Sequence, residues 1–84
     1  MVIFVATREG FKELESVILT GEHAVWIGAD VLSDKELESV RDAGVYVTNF
    51  LYVVDLNNKD VVDAALEDIA LHHPDERVWL EWLP

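Results

Sequence analysis

The sequence of 84 residues contains no cysteine, one methionine and no long uninterrupted apolar run. Without cysteine, neither a disulfide nor a thiolate metal site can stabilise the fold. No stretch approaches the roughly 18 apolar residues that a membrane-spanning helix needs. The apolar residues after Met1 follow no basic segment and are too few for a signal peptide. We therefore expect a cytoplasmic protein without a membrane partner.

Basic residues are also scarce, because six lysines and arginines face 17 aspartates and glutamates and give a formal net charge of −11. Binding to nucleic-acid phosphates or to anionic lipids depends on lysine and arginine, so neither partner is expected. A strongly acidic chain is compatible with basic protein partners, with cations, or simply with solubility.

The four glycines form no Gly-x-Gly spacing, and no Gly-x-Ser-x-Gly motif is present. A glycine-rich phosphate loop and the nucleophile elbow of serine hydrolases are therefore not indicated. The serines fall in predicted helices or helix caps. The sequence indicates no cofactor and no nucleophilic catalysis.

Hydrophobic residues make up 51% of the chain, which is typical of a folded domain, and the length allows one small domain over residues 1–84. The longest run rich in β-branched and aromatic residues covers residues 45–55. We expect it to form the central strand of a sheet. Two forms are possible: one long strand, or a strand to Val47 and a second piece from Phe50, because asparagine is depleted inside strands and Thr48-Asn49 interrupts the run.

Strands and helices are predicted to alternate along the chain. Each helix has a start signal, with Thr7, Ser33 and Asn58 as N-cap residues, and Ser33 with Glu36 matches a capping box. Their predicted ends are marked by Gly21, Gly44 and Pro74. The four strands are predicted over residues 2–6, 23–27, 45–55 and 77–83.

This order, β-α-β-α-β-α-β, predicts a single α/β domain with a four-stranded, mostly parallel sheet. An alternative is a ferredoxin-like α+β split sheet, in which the short second helix would be an insertion.

Polar residues follow the predicted strands where parallel strands would end together. Glu9, Asp30, Asp55 and Asn57 occupy such positions, and their oxygens suit Mg²⁺ or a small polar ligand. The same residue types are also common in turns and helix caps without any ligand.

The pair His72-His73 is a poor metal motif. Adjacent residues on a helix point about 100° apart, so the two imidazoles are not expected to share one ion. No metal site is predicted at these histidines.

A partner surface is predicted at the last strand, where Trp79, Trp82 and Leu83 bring large apolar side chains to a small domain. Filling of the core explains the same residues equally well. The best functional hypothesis is a small acidic module that binds another protein or itself, without catalysis. The alternatives are the carboxylate site at the strand ends and an acidic mimic that binds a basic protein.

Overall fold

A computed structural model describes residues 1–81 of the chain, in which four strands alternate with three helices. The strands are β1 Val2–Val5, β2 Ala24–Ile27, β3 Val47–Asn49 and β4 Val78–Leu80. The helices are α1 Arg8–Ile18, α2 Asp34–Asp42 and α3 Lys59–His72. The predicted order of elements is confirmed.

The strands form one sheet in the order β3-β2-β1-β4, and all three pairings are parallel. The fold is therefore α/β, and the alternative split sheet, which requires antiparallel neighbours, is not needed. Val2 of β1 pairs with Ala24 of β2 on one side and with Val78 of β4 on the other. The first strand of the chain is thus in the interior of the sheet.

The expectation that residues 45–55 form the central strand is wrong. Only Val47–Asn49 is a strand, and it lies at one edge of the sheet. Thr48-Asn49 belongs to the strand rather than interrupting it, and the chain from Phe50 onward is a loop. Most of the run is apolar, but its apolar residues do not all enter the core, since Tyr46 is 74% and Leu51 is 99% exposed.

The three helices begin where the sequence predicts, because each N-cap side chain accepts a hydrogen bond from an amide of the first turn. Thr7 Oγ1 accepts from Gly10 N at 3.0 Å, and Asn58 Oδ1 accepts from Val61 N at 3.3 Å. Ser33 Oγ accepts from Glu36 N at 3.2 Å, while Glu36 Oε1 accepts from Ser33 N at 2.9 Å, which completes the capping box.

Helices cover both faces of the sheet and create two apolar clusters. On one face, α1 and α2 pack on alternate strand residues such as Ile3, Val5 and Ile27. On the other face, α3 packs alone, with Ala65 and Ile69 fully buried. Among residues 1–81, no helix has both the length and the apolar character required to cross a bilayer.

Candidate functional site

The structure places the four residues predicted as ligands at the strand ends in loops, in turns and in the first turn of a helix. Glu9 is exposed in the first turn of α1, and Asp30 is exposed in a turn with a positive φ of 67°. Asp55 and Asn57 are brought together, because Asp55 Oδ1 accepts a hydrogen bond from Asn57 N at 2.9 Å. This bond makes Asp55 a turn residue, the role that aspartate often has before a helix.

Within the described part of the chain, no group of three or more histidine, aspartate or glutamate side chains is arranged to hold a metal ion. Arg8, which precedes Glu9, donates two hydrogen bonds of 2.8 and 2.6 Å to Glu36. That pairing and the Ser33 amide lower the pKa of Glu36 to about 2. A ligand site at Glu9, Asp30, Asp55 and Asn57 stays a prediction.

The two adjacent histidines make separate contacts. His72 Nδ1 lies 2.9 Å from the carbonyl oxygen of Asp68, one turn back along α3. His73 pairs with Glu76, and this hydrogen bond is the main cause that lowers the pKa of Glu76. The rings of His72 and His73 both lie against Trp26, with centroids 5.3 and 6.1 Å away.

A buried carboxylate lies between β1 and β4, where the order in which the chain adds strands to the sheet reverses. Successive strands run from β1 to β3 on one side of β1, and then the chain crosses to β4 on the other side. In doubly wound sheets, ligands bind in the crevice at the carboxyl ends of the two strands that flank such a point. Here Glu81, only 7% exposed, accepts hydrogen bonds from the amides of Ala6 and Thr7, both at 2.9 Å, and from the Thr7 hydroxyl. The protein's own side chain therefore occupies this position.

The sequence alone does not predict the contacts of Glu81. One signal was available, since Glu81 is the only charged residue among the apolar side chains of residues 78–83. Its partners Ala6 and Thr7 are about 75 positions away. Only the pairing of β4 with β1 brings them together.

The predicted partner surface on the last strand is described only in part. Trp79 lies on the edge strand β4 and is 40% exposed. Trp82 and Leu83 fall outside the described residues 1–81. This surface therefore stays a prediction.

A second apolar surface lies at the opposite edge of the sheet, on the face that α3 covers. Two adjoining cavities of about 300 and 280 Å³ share Trp26, Thr48 and His72. The first continues along residues 49–52 to Asp68, and the second ends at Tyr46 and His73. We call the two together the β3–α3 groove.

Aromatic rings form the floor of the β3–α3 groove. Phe50 lies between Trp26 and Tyr52, with ring centroids 5.2 and 5.3 Å away. Trp26 is 5% exposed, and its Nε1 has no hydrogen-bond partner among residues 1–81.

One polar pair lies at the end of the β3–α3 groove. The Tyr52 hydroxyl donates a hydrogen bond of 3.4 Å to Asp68 Oδ2. Burial, together with the nearby Asp68 carboxylate, raises the pKa of Tyr52. Since no lysine or arginine lines either cavity, Asp68 gives this end of the groove a negative charge.

The outer edge of β3 is partly closed by a side chain. Register places the Tyr46 carbonyl and the Phe50 amide toward β2, where they bond to Val25 N and Ile27 O at 2.8 Å. The Val47 carbonyl points the other way and accepts a hydrogen bond from Arg41 Nη2 at 3.0 Å. A charged side chain on an edge strand hinders the addition of a further strand.

Comparison of the chain with protein-family models, with curated proteins and with solved structures finds no significant match.

Proposed function

We propose that this protein is a non-catalytic binding module and that the β3–α3 groove is its partner surface. The observation that supports this most directly is the exposure of large apolar side chains at the two ends of one apolar groove. Leu51 is 99% exposed at one end and Tyr46 is 74% exposed at the other. Exposed apolar residues that border a concave apolar surface are typical of interaction sites, whereas isolated ones need no explanation.

The energetics of these residues also favour binding. Burial of an exposed leucine side chain contributes about 1.5 to 3 kcal/mol, a contribution that Leu51 does not make to this fold. A chain of this size has a total stability of about 5 to 10 kcal/mol. Apolar surface left outside the small core is therefore available to stabilise a complex.

The position of Glu81 supports a binding role over a catalytic one. The crevice at the strand ends between β1 and β4 is where doubly wound sheets place a small ligand. In this protein the Glu81 carboxylate lies there and accepts hydrogen bonds from the backbone amides of Ala6 and Thr7. A substrate would have to displace a buried, hydrogen-bonded carboxylate.

The test uses a random peptide library selected against the immobilised protein. Each selected peptide is then titrated against the wild type, Leu51→Ser and the matched control Leu19→Ser. Leu19 is a partly exposed leucine at the end of α1, a helix on the other face of the sheet. We expect the affinity to fall about tenfold for Leu51→Ser and to stay unchanged for Leu19→Ser.

Peptides that bind Leu51→Ser as tightly as the wild type would overturn the proposal. Adding Trp79→Ser to the same series tests the surface predicted at the last strand. A loss of affinity confined to Trp79→Ser would show that the partner surface lies on β4. Circular dichroism of each variant establishes that the fold is retained.

A further inference from the structure

The two faces of the sheet are covered unequally. Two helices, α1 and α2, pack on one face, and only α3 packs on the other. A helix with its side chains is about 10 Å wide, and neighbouring strands are about 4.8 Å apart, so one helix covers about two strands. The sheet formed by residues 1–81 has four strands, so α3 alone is too narrow to cover this face.

The part of this face left open is the part over the edge strand β3. Ala65 and Ile69 of α3 pack with Val2 and Phe4 of the central strand β1. Farther toward the edge, only the last turn of α3 reaches β2, where the His72 ring packs on Trp26, and Thr48 of β3 lies half-buried in the β3–α3 groove. The groove therefore lies where a second helix would pack beside α3 in a sheet with evenly covered faces.

An extended segment is a poorer occupant than a helix. A strand added to β3 would pair with an edge of three residues, and the Val47 carbonyl on that edge already accepts from Arg41. The groove, in contrast, presents its apolar side chains on the face of the sheet, where a helix packs through its apolar stripe.

The charges around the β3–α3 groove favour a basic occupant. Asp68 lines the groove, and no lysine or arginine does. The helix beside it, α3, contains four acidic residues against Lys59 and His72, and Lys59 pairs with Asp63 at 3.0 Å. The whole chain has a net charge of −11, so a second copy would be repelled at low salt and a cationic partner attracted.

We propose that the β3–α3 groove binds an amphipathic helix of a basic partner protein, with the apolar face of that helix against Tyr46 and Leu51 and its lysines or arginines toward Asp68. This proposal rests on the proposed function and names the class of partner.

Three synthetic peptides test it. The first places leucines at helical spacing on one face and lysines on the other over about four turns. The second has the same leucines with glutamates in place of lysines, and the third alternates leucine and lysine as a strand would. Binding is measured by nuclear magnetic resonance, with the indole N–H signal of Trp26, assigned through Trp26→Phe, as the reporter of groove occupancy.

We expect the helical lysine peptide to bind at least about tenfold more tightly than the glutamate peptide and the alternating peptide, with an affinity that falls as salt rises. The Trp26 indole signal should shift on binding. Leu51→Ser should weaken the complex, and Asp68→Asn should remove part of its salt dependence, whereas Leu19→Ser should have no effect.

The remaining outcomes separate the two proposals. Equal or tighter groove binding of the glutamate or alternating peptide, or a concentration-dependent dimer that shifts the same signal, would overturn the basic helix and leave the groove as a binding surface. Failure of all three peptides and of a second copy to shift Trp26 would overturn the basic helix. Library peptides that bind wild type and Leu51→Ser equally would overturn the groove itself.

Discussion

The carboxylate of Glu81 lies directly over Gly10, in the first turn of α1. A Cβ atom added at Gly10 would lie 2.6 Å from Glu81 Oε2 and closer still to the other carboxylate atoms. The same carboxylate accepts hydrogen bonds from the amides of Ala6 and Thr7. A side chain at position 10 would therefore have to displace the Glu81 carboxylate from these hydrogen bonds.

We predict that Gly10→Ala changes stability with opposite signs in two backgrounds. In the wild type it should destabilise by about 1 to 3 kcal/mol, because the methyl group overlaps the Glu81 carboxylate. In Glu81→Ala that overlap is gone, and alanine should stabilise the helix by up to about 1 kcal/mol. Urea unfolding of the four members of the cycle measures the coupling, and additive effects would contradict the contact.

Removal of the Glu81 carboxylate alone should destabilise the protein by about 2 to 4 kcal/mol, because two amides lose a buried charged acceptor. Glu38→Gln, a change at an exposed glutamate of α2, is the control. Equal unfolding midpoints for Glu81→Ala and Glu38→Gln would show that the buried bonds contribute little.

The capping box of α2 should be visible in stability. Ser33→Ala removes the acceptor of the Glu36 amide and should cost about 1 kcal/mol. Ser39→Ala, an exposed change inside the same helix, should be neutral or slightly stabilising, since alanine is the better helix former. Each variant loses one hydroxyl group, but only Ser33→Ala also loses a capping hydrogen bond. Thermal unfolding of both variants therefore measures the capping bond apart from the general effect of replacing serine by alanine.

The pH dependence of stability should contain a contribution from Glu36. Its pKa is lowered from 4.5 to about 2 by the hydrogen bond from Arg8 and by the Ser33 amide. A lowered pKa in the folded protein means that the contribution is full above about pH 4.5 and is lost as the pH falls through 2. We expect Glu36→Gln to be less stable than the wild type at pH 7, and the difference to shrink between pH 4.5 and 2.

The matched control is Glu38→Gln, an exposed glutamate on the same helix. Urea unfolding at several pH values between 7 and 2 gives the comparison. A difference between wild type and Glu36→Gln that stays constant across this range would contradict the ion pair with Arg8.

Two consecutive residues after β3 should respond in opposite ways to truncation. Phe50 is buried against Phe4 and Trp26, so Phe50→Ala should cost about 3 to 5 kcal/mol. Leu51 is almost fully exposed, so Leu51→Ala should change stability by less than about 0.5 kcal/mol. A large loss of stability for Leu51→Ala would mean that this side chain contributes to the fold and is not free to contact a partner.

The sequence predicted the local features of the fold well. The caps Thr7, Ser33 and Asn58 and the alternation of strands with helices are confirmed, because each depends on residues a few positions apart. The place of β3 could not be predicted in the same way. Hydrophobicity alone does not distinguish an apolar run at the sheet edge from one at its centre, and strand order is set by contacts between distant residues.

The candidate surfaces follow the same rule. Trp26 and Leu51 could be recognised as large apolar residues, but the β3–α3 groove exists only because β3 lies at an edge that α3 does not cover. Glu81 was visible as a lone acid in an apolar segment, but its partners at Ala6 and Thr7 depend on the pairing of β4 with β1.

The interior position of β1 has a consequence for how the chain folds during synthesis. Its neighbours are made at very different times, since β2 follows within about 20 residues and β4 completes the other side only after residue 78. Until then, one backbone edge of Val2–Val5 stays unpaired on a fully apolar strand. Such a strand can pair with a strand of another nascent chain and start aggregation. Pairing of β4 with β1 removes this exposed edge.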